Sequence, residues 1–215
     1  MTATRWTWLI LVTIWFAFFS WYTSFGGPLT DDEIEVYVRA AEKLSPPDPI
    51  LVETMRRFME EDTGDDFIML NIEKTYDEPL LVEGVEPGQS TEEVLANYLA
   101  YVVPALISRA CHPVQFGRAA GGTMDLLNAH DLREWGDTVS IRYRSRRDFM
   151  DFATDPRMSG AHVFKVAAIE RTIAFPADPW FHFGDLRFIL GLILGLLGCA
   201  VSWGGASRRA RLNAP

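Results

Sequence analysis

The chain has 215 residues, a net charge of −9 and a mean hydropathy near zero, with its apolar 48% clumped so that residues 6–25 and 188–206 carry no charged side chain. That distribution excludes a simple soluble enzyme, a disordered chain and a disulfide scaffold. All 29 acidic side chains fall between Asp31 and Asp185 against 15 basic ones, a net −14 that argues against nucleic acid or anionic lipid as a partner.

Residues 6–25 (WTWLILVTIWFAFFSWYTSF) have the length of about 20 residues that crosses a hydrocarbon core of roughly 30 Å. The run is longer than the apolar region of a cleaved signal peptide, rich in Trp and Phe, and lacks an A-x-A-like site. It reads as an uncleaved signal anchor.

Residues 28–62 read as a helical pair. Thr30-Asp31-Asp32-Glu33 is a capping box, followed at helical spacing by Ile34, Tyr37, Val38 and Ala41. Ser45-Pro46-Pro47-Asp48-Pro49 breaks that helix and starts another, with Asp48 as N-cap and Leu51, Met55, Phe58 and Met59 as its stripe. These stripes pack on the following domain or receive a partner.

From residue 66 the pattern alternates. Residues 67–72 (FIMLNI) read as a strand, 77–90 as a Pro/Gly/Glu-rich loop, and 91–110 as an amphipathic helix capped by Ser90 or Thr91 and carrying Pro104. A second strand spans 114–119 and a third 135–144, where Val139, Ile141 and Tyr143 face one way and Ser140, Arg142 and Arg144 the other. Ser145 caps a short helix, a second helical stretch follows Asp155-Pro156, and 169–175 is the last strand. The order βαββαβ is the ferredoxin-like split unit, in the α+β class.

A second span is predicted over residues 186–206, followed by a basic tail at 207–215. Its Gly191-x-x-x-Gly195 and Gly198 mark either a close-packing helix face or the ordinary frequency of glycine in membrane helices. Two spans place both termini on one side. Arg5, Arg208, Arg209 and Arg211 favour the cytoplasm for them and an extracytoplasmic position for residues 26–185. Trp6, Trp8, Trp15, Trp21, Trp180 and Trp203 lie in or beside the spans, as an aromatic belt requires. Cys111 and Cys199 then occupy different compartments and form no intrachain bridge; Cys111 is a buried thiol or pairs across a dimer.

Met69-Leu70-Asn71, Tyr143-Arg144-Ser145-Arg146-Arg147-Asp148-Phe149, Ala153-Thr154-Asp155-Pro156 and Ala167-Ala168-Ile169-Glu170-Arg171-Thr172 resemble, in order and spacing, the DUF1330 group of the dimeric α/β-barrel superfamily. The resemblance covers about residues 66–176 and neither the spans nor the helices of 28–62. It implies a ferredoxin-like protomer whose open sheet face pairs with a second copy into a barrel, and a bacterial inner membrane as the location. It implies no reaction and no cofactor. Residues 123–134 depart from the compact pattern, as a lid on the barrel mouth or a surface loop.

Period-2 alternation assigns Asn71, Gln115, Ser140 and Arg142 to the barrel lining, with Glu170 or Arg171 from the last strand. They form a ligand site, with Arg142 as a bidentate clamp for carboxylate or phosphate, or else hydrogen-bond across the dimer or pair internally. Of the four histidines (His112, His130, His162 and His182), none has metal-ligand spacing, and His162 alone joins the proposed site because superfamily relatives that bind haem use a histidine in that region. Asp131, Glu134 and Asp137 read as an acidic solvated loop. No nucleophile elbow, phosphate-binding loop or dinucleotide fingerprint occurs. Three functions follow: a homodimeric membrane-held module that binds a small molecule or partner, a cofactor-free oxygenase or isomerase, or a structural subunit of a membrane complex.

Overall fold

The computed structural model describes residues 3–43, 48–124, 127–128, 134–179 and 182–212. The Ser45-Pro46-Pro47 break, His130, Asp131, Trp180 and the end of the basic tail lie outside them. The elements in chain order are α1 (Ala3–Tyr22), α2 (Asp31–Ala41), α3 (Pro49–Glu60), β1 (Phe67–Thr75), α4 (Thr91–Ser108), β2 (His112–Arg118), β3 (Asp137–Tyr143), α5 (Arg146–Ala153), α6 (Pro156–Ala168), β4 (Ile169–Ala177) and α7 (Leu186–Leu212). They form two compact units, Ser24–Pro179 and the two terminal segments Met1–Thr23 and Trp180–Pro215.

The larger unit is α+β. Its four strands make one antiparallel sheet in the order β2-β3-β1-β4. Each helix starts where a short polar side chain caps it. Thr30 and Ser90 make complete capping boxes with Glu33 and Glu93, while Asp48, Ser145 and Asp155 accept from first-turn amides. Thr91 then donates its hydroxyl to the Tyr76 carbonyl at 2.8 Å, which ties the start of α4 to the end of β1.

The core lies on one face of the sheet. Phe67 and Tyr143 pair across β1 and β3 and stack at 5.3 Å; Phe58, Phe149 and Phe152 pack around them, with Val102 and Leu106 of α4 in the same cluster. A second cluster joins Val94 of α4 to Ala167, Ala168 and Ile169. The stripes of α2 and α3 close a third with Met150 of α5, so the 28–62 helices pack on the domain. Gly64, at φ +84, brings its Cα so near Gly27 that a Cβ would stand 2.6 Å from backbone carbon. Only glycine fits that crossing.

In the smaller unit α1 and α7 lie antiparallel. The Trp8 indole donates to Ser202 Oγ at 3.0 Å, and Trp15 to the Arg187 carbonyl at 3.0 Å. A Cβ on Gly191 would stand 3.0 Å from Trp15 and one on Gly198 2.6 Å from Trp8, while Gly195 faces open space and Gly205 approaches Thr4. The close-packing positions are therefore Gly191 and Gly198, seven residues apart, not the four-residue motif Gly191-x-x-x-Gly195. A seven-residue repeat is the period of left-handed packing.

Among the described residues, α7 alone is long and apolar enough to cross a membrane, over Leu186–Arg208. α1 is 20 residues long, but Arg5, Trp6, Trp8, Trp15, Trp21, Thr7, Thr13 and Ser20 lower its hydropathy, so of the two expected spans only α7 is both long and apolar enough. The helix of α7 also continues to Leu212, so the start of the basic tail is helical.

Candidate functional site

The ladder register sorts the four proposed ligand residues that lie on strands onto two faces. Ser140 pairs with Leu70 and with Gln115, and Arg142 with Ile68 and His112, so Gln115, Ser140 and Arg142 share the face opposite Tyr143. Arg171 joins them opposite Lys74. The same face carries Ile68, Leu70, Ile72, Ile173 and Phe175 by register; Ile72 is 36% and Phe175 49% exposed.

Asn71 is a correction. It lies two residues from Met69, which packs in the aromatic core, and so shares the helix-covered face. The period-2 reading chose the wrong phase because the strand is apolar on both sides. Asn71 Nδ2 donates to the carbonyls of Val139 at 3.0 Å and Met69 at 3.2 Å.

Arg142 is also occupied. Fully buried, it donates from Nε to Asp66 Oδ2 at 2.9 Å and from a terminal nitrogen to the Ala110 carbonyl at 2.9 Å. Ala110 itself sits at φ 55, a left-handed turn between α4 and β2 that the guanidinium secures. These contacts make Arg142 an internal clamp in the described structure. At the other end of the face, Lys74 bridges Glu170 at 3.0 Å and Glu134 at 3.1 Å, and the Arg171 guanidinium lies 5.1 Å from the Trp135 ring.

His162 sits on α6, away from those three, and belongs to a different constellation. Lys165, three residues along the same helix, has its ammonium 6.0 Å from the Tyr98 ring of α4. Glu73 extends the Met69–Asn71 side of β1 toward both helices, directly opposite Asp137 on β3. Glu73 acts on Lys165 and on Tyr98, and Lys165 on Glu73 and on His162. Burial raises the Glu73 carboxyl, against the pull of Lys165. Burial likewise pushes Tyr98 up to about 12 and lowers Lys165, an effect that Glu73 opposes. His162 is lowered by burial and by the Lys165 charge. Neither the Glu73 carboxylate nor the Lys165 ammonium has an ion-pair partner within 4.0 Å among the described residues. Their exposure is intermediate and His162 is exposed, so the cluster opens to solvent.

Sequence reasoning missed Glu73, Tyr98 and Lys165. The available signals were a carboxylate in phase with Phe67 and Met69, and a lysine in the otherwise apolar stretch His162-Val163-Phe164-Lys165-Val166-Ala167-Ala168. Among the described residues no group of His, Cys, Asp and Glu could hold a metal ion. Cys111 is buried, its thiol raised to about 11 by that burial and 3.4 Å from the Arg109 carbonyl, to which it donates.

No family model matches the sequence, and no curated protein is similar to it. The structure is similar to RPA0582, a protein of unknown function from Rhodopseudomonas palustris. One form of it aligns at TM-score 0.50 and 18% identity, over 65% of this chain and 98% of that one. The methylated form aligns at TM-score 0.51 and 20% identity, over 64% and 95%. The likeness is one of fold.

Proposed function

We propose that this chain is a two-pass membrane protein that presents a ferredoxin-like, DUF1330-like domain outside the cytoplasm, as a homodimer that binds a small molecule or a partner. The observation that carries the reading is the pair of exposed apolar side chains Ile72 and Phe175, on the sheet face they share with Leu70 and Ile173. An apolar sheet face left in water is a liability that a second copy removes. The strand order β2-β3-β1-β4 supports the ferredoxin-like assignment.

The membrane reading rests on α7, whose apolar window has only 6% of its residues buried within the structure. Such a surface calls for a lipid environment. α1 joins it through hydrogen bonds from both indoles, which satisfy polar groups where water is scarce. The arginines of the α7 end favour the cytoplasm for that end.

The test is the mass of the full-length protein released from detergent micelles. Wild type is expected as a dimer, and the double variant Ile72→Lys, Phe175→Glu as a folded monomer. A wild-type monomer, or a variant that still dimerises, refutes pairing through this face. Protease digestion of sealed vesicles addresses orientation: cleavage within the domain from the cytoplasmic side would overturn it.

A further inference from the structure

The chain enters and leaves the larger unit at one end of its sheet. The outgoing end is β4, whose Ala177 pairs with Ile68 near the start of β1. The incoming segment, residues 26–29, is fastened to the turn that leads into the same strand. Gly27 crosses Gly64 there, and the Asp62 carboxylate, its side chain 1% exposed, accepts from the Leu29 amide at 2.9 Å and the Gly64 amide at 3.0 Å. From α5, Arg147 donates to the Gly27 and Pro28 carbonyls at 3.3 Å each and is held in turn by Glu33 at 2.8 Å. Its neighbour Arg146 lies 3.7 Å from Asp62 and 3.7 Å from Asp178, the residue that follows β4. Adjacent arginines of one helix therefore hold both connections.

This convergence belongs to the folded unit alone. Adjacent strands stand about 4.8 Å apart, and the chain from Gly64 to Ile68 covers at most about 14 Å, so residues 27 and 177 lie within roughly 25 Å of each other. Unfolded, the same segment has a radius of gyration of about 40 Å, and its ends stand further apart still. We propose that the folded domain is the device that assembles the α1–α7 pair: by holding its two ends together it raises the effective concentration of one helix for the other.

The size of the effect follows from chain length. With the domain folded, residues 23–26 and 178–185, roughly a dozen, separate the two helices from anchored chain, against about 160 when it is unfolded. Closure falls as about the 3/2 power of that length, so folding raises the effective concentration on the order of 50-fold. The inference uses the contacts of α1 with α7 and the ends of the sheet, and is independent of whether the protein dimerises and of its orientation.

The experiment uses full-length protein in detergent with Cys111→Ser, Cys199→Ser, Thr4→Cys and Gly205→Cys; a Cβ on residue 205 stands 3.8 Å from Thr4 Oγ1. The glutathione redox equilibrium of the introduced thiols reads the effective concentration of α1 at α7. A flexible Gly/Ser insert of about 50 residues after Pro179 lengthens the connection roughly fivefold and is expected to lower that value about tenfold. The same insert between Gly121 and Gly122, an exposed position inside the domain, is expected to change it less than about twofold, because the folded unit still brings its ends together. Circular dichroism checks that both variants are folded. Urea titration of the parent chain is the second measurement, and the effective concentration is expected to fall together with the domain's unfolding transition. No fall with the insert after Pro179, an equal fall with both inserts, or a value unchanged through the urea transition would each overturn the proposal.

Discussion

Replacing Arg142 with alanine separates an internal clamp from a ligand clamp. The guanidinium holds Asp66 and the Ala110 carbonyl, each at 2.9 Å. Hydrogen bonds involving a charged group contribute about 1.5–3 kcal/mol each, and breaking a buried pair costs about 3–5 kcal/mol because one partner is left uncompensated. Asp66 is 20% exposed, so water recovers part of its loss and the lower half of that range applies. For a unit of this size 1 kcal/mol moves the midpoint by about 2–4 °C, so 3–4 kcal/mol corresponds to a fall of roughly 6–16 °C. Circular dichroism of the detergent-solubilised full-length protein reads that transition. Arg142→Lys is expected to recover only part of the loss, because a single ammonium cannot reproduce two directed bonds. A fall below about 3 °C for Arg142→Ala would refute the clamp and return Arg142 to the ligand face.

Other expectations follow from single contacts. Gly198→Leu, with a Cβ position 2.6 Å from Trp8, is expected to separate α1 from α7 in a cysteine cross-linking assay, whereas Gly195→Ala, which meets nothing, leaves the cross-link unchanged. The Arg147 guanidinium holds Glu33 down to about 2, with the Thr30 amide assisting. A depressed carboxylate stabilises the fold above its unfolded value of about 4.5 and loses that contribution as pH falls toward 2. Glu33→Gln should therefore flatten the stability curve between those pH values; an unchanged slope in acid titration refutes the pairing. Cys111 is expected to resist thiol reagents until the protein unfolds and to give no disulfide dimer on a non-reducing gel.

Much of the fold was legible because local signals agreed with it. Two capping boxes and three further N-caps, Asp48, Ser145 and the Asp155 of Asp155-Pro156, place the five helices of the α+β unit within a residue or two. β3 was readable because only one of its faces is apolar. β1 was not, because Ile68 and Leu70 are as apolar as Phe67 and Met69, and alternation then has no phase. That ambiguity put Asn71 on the wrong face. The site was harder still. A sequence shows that Glu73 and Lys165 are charged, but only the fold brings them near enough for each to alter the other's protonation. Arg142 looked like a ligand clamp because its partners lie 76 and 32 residues away in the chain. The Gly-x-x-x-Gly pattern misled for a related reason: Trp8 and Trp15 select Gly198 and Gly191, seven residues apart, and their spacing means nothing until α1 is laid against α7.

The pairing of α1 with α7 also changes what unfolding means for the segment between them. While the two helices hold, the released segment Ser24–Pro179 is a closed loop and not a chain with free ends. Cross-linking a loop of about 100 residues removes unfolded-state entropy equivalent to about 4–5 kcal/mol, and the dependence on length is logarithmic, so a somewhat longer loop differs little. Gly191 and Gly198 in one helix thus act as a reversible staple on a domain of different architecture.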